Sequence, residues 1–279
     1  NSKFISFNNS RKKEYRLITV IKDKNVEKKC ISSYSEGHYE NFKNNIKKLS
    51  KNNNIKILDY IEDGVIKSKF EQFMPLDKFL IKLLEKNNIE EFIFQILKCK
   101  EFVFDNFERI SNYQENNIFS KYDVDLNGYD FNKLHFIKDG YLDLTFQNIL
   151  IDNDKYYIFD QEWYEQNVPV EFIIYRGLKI IFSFAGISKL VSEEVLEKLH
   201  LIEYVNLFEE LEHKIQTTIN SDSANKIYSY NYEIENNAEF LLNKSINQLI
   251  IRNKELEEEL SRVKQKKGMA SFFKKGRGI

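Results

Sequence analysis

Proline is almost missing from this chain: Pro75 and Pro169 are the only two in 279 residues, so few points force the backbone out of regular structure. Cysteine is equally rare. Cys30 and Cys99 lie far apart and have no metal-ligand spacing, which excludes a disulfide framework and a thiolate metal site. Both sit in apolar contexts and read as buried thiols in a reducing compartment. The four histidines, His38, His135, His200 and His213, are scattered, which argues against zinc. Charge of one sign is lacking too. The net charge is −1, from 42 basic and 43 acidic side chains, so no global field points to nucleic acid. No run of 18 uncharged apolar residues exists. The nearest, "FIIYRGLKIIFSFAGI", contains Arg176 and Lys179 and is not read as a membrane span. The N-terminus has no apolar signal segment, and it starts without Met, as a piece of a longer chain would.

What is present is aromatic and foldable: 42% hydrophobic residues, with 23 Phe and 16 Tyr. Up to Pro75 the order reads strand, strand, strand, helix, strand, strand. "KFISFNN", "EYRLITVIKD" and "VEKKCIS" are the first strands. "EGHYENFKNNIKKLS" has helical spacing, with Tyr39, Phe42, Ile46 and Leu49 on one side. "IKILDYIED" and "VIKSKFEQF" are joined by Asp63-Gly64, a hairpin dipeptide. Beyond Pro75 helices dominate: "LDKFLIKLLEK", "IEEFIFQILKCKEFVFDNFERI", and segments near 170–185, 192–199 and 201–219. Residues 111–137 read as loop with one short helix. A polar linker spans 221–235. Then Leu242, Ile246, Leu249, Asn253, Leu256, Leu260 and Val263 alternate by four and three, a heptad seam over 236–264. Asn253 within that seam favours register-fixed pairing of copies, so a dimer or trimer through residues 239–263 is expected. The last residues, 265–279, form a basic tail: after Glu259 there are seven Lys or Arg and no acid.

The chemistry concentrates in "YLDLTFQNILIDNDKYYIFDQEW", Tyr141 to Trp163. "NILI" and "YYIFD" flank a turn-rich tetrapeptide, and pairing Ile151 with Tyr156 sets Asn148 opposite Phe159, next to Asp160. An amide oxygen and a carboxylate at one end of a hairpin suit Mg²⁺, a hard cation completed by water and substrate phosphates. Asp143 precedes Asn148 by a loop's length, within reach to accept a proton from an attacking hydroxyl.

D-L-x-x-x-N, followed by an Asp beyond a hairpin, resembles the catalytic loop and metal-binding Asp of the protein-kinase-like fold. The D-x-E of Asp160-Gln161-Glu162 resembles the aminoglycoside and choline kinase branch more than Asp-Phe-Gly. "FNNSRKKEYRLIT", "VEKK", "DLTFQN", "FDQEW" and "VPVEFIIYRGL" together are similar to the kinase domain of bacterial O-antigen chain-terminating kinase–methyltransferases and related polysaccharide-biosynthesis enzymes, over roughly residues 4–220. The resemblance implies an α+β fold: a small β-rich N-lobe over 1–75 and a helical C-lobe over 76–220, here followed by the coiled-coil helix. It implies ATP and Mg as cofactors, Asp143 as catalytic residue, and Asn148 and Asp160 as metal ligands. It implies a strand lysine on the α/β-phosphates: Lys28, sharing a strand face with Val26 and Cys30, with Lys29 as the alternative. A helical glutamate should hold that lysine, Glu40 or else Glu36. Main chain from Glu71 to Phe73 should bond the adenine edge.

The chain departs from the pattern in places. The first turn, "NNSRKK", has no glycine, so Arg11, Lys12 or Lys13 is expected to supply the charge that backbone N–H groups otherwise offer phosphate. Tyr141 stands where kinases carry His. Glu162 replaces the Gly of Asp-Phe-Gly and is expected to add a second contact at the site. Trp163 is expected in the core, and Arg176 on a buried acid or on substrate. The implied activity is phosphoryl transfer to a sugar hydroxyl, at the end of a lipid-linked glycan. The alternatives are a kinase-like scaffold with weak turnover and a small-molecule kinase for choline or an aminoglycoside. The expected location is the bacterial cytoplasm, with the tail at 264–279 resting on an anionic membrane at its inner face.

Overall fold

The computed structural model describes residues 2–110, 116–153 and 155–224. The expected linker from 225 on, the coiled coil and the basic tail lie outside them. The chain divides into two compact units, Asn1–Ser221 and Asp222–Ile279, and the architecture below is that of the first.

Its N-terminal part is an antiparallel sheet. Strands β1 (Ser2–Phe7), β2 (Leu17–Lys22), β3 (Asn25–Cys30), β5 (Asp59–Glu62) and β6 (Val65–Lys69) take the order β1-β2-β3-β6-β5. Helix α1 (Glu36–Leu49) packs on it, and the short β4 (Lys56–Ile57) follows α1. The β5–β6 turn has φ of +51° at Asp63 and +74° at Gly64, the two left-handed residues that a tight type I′ hairpin demands. The core here is small: Leu17, Tyr39, Phe42, Ile46 and Ile66. Tyr39 is its polar pin, donating to the Lys28 carbonyl at 2.8 Å and accepting from the Ile66 amide at 2.9 Å. Cys99 is buried as expected, whereas Cys30 is only partly buried, at the end of β3.

Below it lies the helical part. Strand β7 (Met74–Pro75) leads into α2 (Leu76–Glu85), whose Leu76, Leu80, Leu83 and Leu84 are buried at helical spacing. Helices α3 (Ile89–Asn106), α4 (Ile118–Lys121), α5 (Val170–Ala185), α6 (Lys189–Lys198) and α7 (Val205–Ile219) complete it. Strands β10 (Ile149–Asp152) and β11 (Lys155–Ile158) form the hairpin read from the sequence, with Ile151 opposite Tyr156. They join β7 and β4 in a sheet ordered β4-β11-β10-β7, which stitches the two parts together. A third sheet was not legible in the sequence: β8 (Arg109–Ile110), β9 (Phe136–Tyr141) and β12 (Tyr164–Pro169), in the order β12-β9-β8. No strand was expected in "YEQNVP"; antiparallel pairing with β9, from Tyr164 opposite Tyr141 to Pro169 opposite Phe136, makes it one.

The α+β, bilobal arrangement is therefore the one expected: strands with one helix, then helices. Gly177 on α5 shows how closely the second part packs. A Cβ there would lie 2.7 Å from the Phe146 ring, so the loop between Asp143 and Asn148 rests on bare backbone. Among the described residues no helix is long and apolar enough to cross a membrane.

Candidate functional site

A cleft of about 330 Å³ opens where the two parts meet. Its walls are largely apolar, with Val26, Leu58, Leu150 and Phe159 among them, and Lys28 and Asp160 line it too. Glu71 and Phe73, on the connection from β6 to β7, line it as well.

Strand β3 delivers Lys28. Its ammonium donates to Asp160 Oδ1 and, at 2.6 Å, to Glu162 Oε1. Those two carboxylates raise the lysine's pKa although burial works to lower it, so it stays charged. Lys29 instead pairs with Glu27 at 2.9 Å, away from the cleft.

The expected glutamate on α1 is a correction. Glu40 is exposed and pairs with Lys43 at 2.7 Å, and Glu36 is also exposed. Helical geometry explains this. The face of α1 toward the site carries His38, Phe42 and Asn45, all buried at i, i+4 and i+7, and residue 40 points elsewhere. Glu162 takes over the role of holding Lys28. It also accepts from Arg11 at 2.5 Å, and His38 Nε2 lies 3.3 Å from its Oε2. Burial would raise the Glu162 pKa. Lys28, the hydrogen bond with His38 and Arg11 together outweigh it and hold the group well below its ordinary value. Asp160 ends on the other side of that balance, raised by burial against Lys28.

The hairpin and the loop before it set the remaining groups. Phe159 N donates to Asn148 O at 3.1 Å, placing Asn148 beside Asp160 as the register requires. Asn148 Nδ2 donates to Asp143 O at 3.0 Å, which leaves Asn148 Oδ1 as its acceptor atom. Gln161 donates to the same carbonyl at 3.0 Å and to Phe159 O at 2.7 Å. Asn45 donates to the carbonyls of Gln161 and Glu162 at 3.0 and 3.1 Å, tying α1 to this segment. Asp143 is pushed up to about 7, by burial first, against the nearby Arg176 guanidinium 4.0 Å away. Arg176 in turn bonds Glu212 at 2.7 Å and the Leu142 carbonyl, so it braces the Asp143 loop. Trp163, expected in the core, is only partly buried, between Tyr15 at 5.1 Å and His38 at 4.6 Å with Arg11 over its ring.

Two parts of the site escaped sequence reasoning. Asp59 on β5 is 2% exposed and accepts from the Asp160 amide at 2.6 Å. The signal for it was an acid inside the run "KILDYI". The β1–β2 loop is also fastened to the end of α7: Lys12 N donates to Ile219 O at 2.9 Å, Ser221 N donates to Ser10 O at 2.8 Å, and Arg11 bridges Asn220. No local pattern announces a contact between residues 200 positions apart.

The residues present fit a hard cation. Asp160 bonds Lys28 through Oδ1 and keeps its other oxygen, and about a third of its side chain is exposed. With Asn148 Oδ1 this makes two oxygen donors, the number used when phosphates and water supply the rest. Among the described residues no cluster of three or more His, Cys, Asp or Glu forms a self-sufficient metal site.

Strands, one helix, a connection, a loop and a hairpin thus follow in the order expected of the bilobal α+β arrangement, with Lys28 on β3 and Asp160 beyond β11. No family model and no curated protein matches the chain. Among solved structures, choline kinase LicA from Streptococcus pneumoniae is similar, with a TM-score of 0.42 and 13% identity over 76% of this chain and 82% of that one. LicA in complex with AMP has a TM-score of 0.41 and 14% identity over 72% of this chain and 77% of that one.

Proposed function

We propose that this chain is an ATP- and Mg²⁺-dependent phosphotransferase acting on a sugar hydroxyl, at the terminal residue of a lipid-linked surface polysaccharide of O-antigen type. One observation carries the phosphotransferase reading: Lys28 and Asp160 meet in the wall of a largely apolar cleft, with Asn148 beside Asp160 and Asp143 one loop away. The adenine enters between Val26, Leu58, Leu150 and Phe159, along the Glu71–Phe73 connection. Asn148 and Asp160 would hold the cation, which when bound would offset negative charge on the phosphates. Lys28 adds its charge there, and Glu162 keeps that lysine aimed.

Asp143 is the proton acceptor. The acceptor hydroxyl oxygen bonds the γ-phosphorus, the bond from that phosphorus to the β–γ bridging oxygen breaks, ADP leaves with the electron pair, and the hydroxyl proton passes to the Asp143 carboxylate. Catalysis of this kind is positioning and electrostatics, with no covalent enzyme intermediate.

The sugar acceptor is supported by the resemblance carried by "DLTFQN" and "FDQEW". It is also supported by a second groove of about 960 Å³ that reaches Glu162 from the other side. Tyr15, Tyr122, Trp163 and Tyr164 line it together with Asn41 and Lys48, a mixture of aromatic and polar side chains suited to a pyranose. Pairing of copies through 239–263 and membrane contact through 264–279, at the inner face of a bacterial cytoplasmic membrane, belong to the proposal on sequence grounds.

One observation favours a second reading, a kinase-like scaffold with weak turnover. The loop that should cradle phosphate has no glycine, and its Arg11 is already engaged by Glu162. ATP consumption with a panel of oligosaccharide acceptors separates the two. The proposal expects acceptor-dependent turnover in the wild type and its loss in Asp143→Ala; equal rates in both proteins end the catalytic assignment.

A further inference from the structure

A carboxylate buried beside another carboxylate is electrostatically costly, and Asp59 occupies that position. Asp160, its neighbour, has φ of +60°, the left-handed region that few non-glycine residues occupy. The two facts have one geometric origin.

Residues 57–59 run parallel to the end of β11. Ile57 pairs with Ile158, and Leu58 N donates to Ile158 O at 2.9 Å. Continuation of a parallel ladder would send Asp160 N to Leu58 O. That carbonyl accepts instead from Lys69 N at 3.1 Å. The Asp59 side chain supplies the missing acceptor: Oδ2 takes the Asp160 N–H at 2.6 Å, while Oδ1 accepts from the Ser68 hydroxyl across the β5–β6 pair. A side-chain oxygen reaches farther than a ladder carbonyl. It lets residue 160 keep its hydrogen bond while leaving the strand direction.

We propose that Asp59 is a positioning residue: by holding the Asp160 amide it fixes the left-handed turn that aims the Asp160 carboxylate at Lys28 and at the nucleotide-bound cation. This rests on the reading of Asp160 as a cation ligand. What the position needs is an oxygen acceptor of aspartate length. Charge is not required, so asparagine suffices, with its amide NH₂ turned to Ser68. Alanine leaves the Asp160 N–H without a partner and frees the turn.

The test uses the full chain with Mn²⁺ as probe, titrated in the presence of a non-hydrolysable ATP analogue and followed by the electron paramagnetic resonance of free Mn²⁺. A purely structural role for Asp59 would lower stability without moving this affinity. Asp59→Ala is expected to weaken Mn²⁺ binding about tenfold or more, and Asp59→Asn to stay within about threefold of wild type, the difference a lost and a kept hydrogen bond to a charged-site backbone produce. Should the alanine variant not fold, Asp59→Val, which suits a strand interior, takes its place with the same expectation. Wild-type affinity in the folded Ala or Val variant overturns the proposal. So does an Asn variant as weak as Ala, because charge and not the acceptor would then be what counts. A wild-type protein that binds no Mn²⁺ with the analogue removes the cation-ligand reading itself, and the positioning role with it.

Discussion

Asp143 gathers the opposing forces of the site into one side chain. Burial favours its neutral form, Arg176 favours the charged form, and Glu162 and Asp160 oppose the charge again; the outcome is a pKa of about 7. A proton acceptor works only when ionised. The logarithm of kcat/KM, which reports the free enzyme, should therefore climb with unit slope below pH 7 and level off above it. Asp143→Asn keeps the shape and removes the acceptor; turnover should fall by roughly 10²- to 10⁴-fold and the acid limb should vanish. A wild-type profile that stays flat from pH 5.5 to 8.5 would rule Asp143 out as the base. The same residue-by-residue view explains Glu162. A carboxylate with both oxygens engaged by Lys28, Arg11 and His38 is better suited to ordering those groups than to binding a cation directly.

At the level of elements, the glycine-free β1–β2 loop is the distinctive part. A phosphate loop normally relies on glycine to bring backbone amides close. In the proposed reading Arg11 takes that place, and the loop is held by the residues that follow α7. Ser221→Pro tests that strap. Asn220 has φ −77° and ψ 149°, a conformation compatible with a following proline, and the substitution removes the amide that donates to Ser10 O. Loss of one such bond is worth about 1 kcal/mol, equivalent to roughly a fivefold rise in the KM for ATP, with the melting temperature nearly unchanged. An unchanged KM would show that the strap does not restrain the loop.

The elements also show where sequence reading succeeds. The β10–β11 register followed from turn residues and alternation, because both signals are local. The apolar stripe of α1 was legible for the same reason, and His38 and Asn45, polar residues on that stripe, were the visible hint that the helix faces a polar site. The partner of Lys28 was not legible. A family pattern placed it on α1, but the acid that reaches Lys28 comes from 134 residues further on, and no periodicity encodes that distance. Strand β12 failed for a related reason: its polar sequence becomes a strand only through its pairing with β9.

Across the whole molecule, two buried acids, one in each part of the fold, share the same anomaly. Asp59 in the strand-rich part and Asp143 in the helical part are both raised to about 7, burial being the first cause in each. Between their ordinary value near 3.8 and 7 the folded chain binds more protons at these groups than the unfolded chain. Stability therefore falls as pH rises through that window and is flat above it. The upper bound is on the order of 4 kcal/mol for each acid at high pH. Glu162 and Glu212 have lowered values and act oppositely, but their stabilisation is lost only below about pH 4.5. Asp160, also raised, adds to the fall with the same sign, so over pH 5 to 7 the raised acids set the slope. The urea midpoint should accordingly be higher at pH 5.5 than at pH 8, and Asp59→Asn, which cannot ionise, should reduce the difference. A midpoint that rises with pH over this range would show that neither acid is buried in its neutral form. If the slope is as stated, stability and turnover move in opposite directions with pH, because ionising Asp143 is what the reaction needs and what the fold resists.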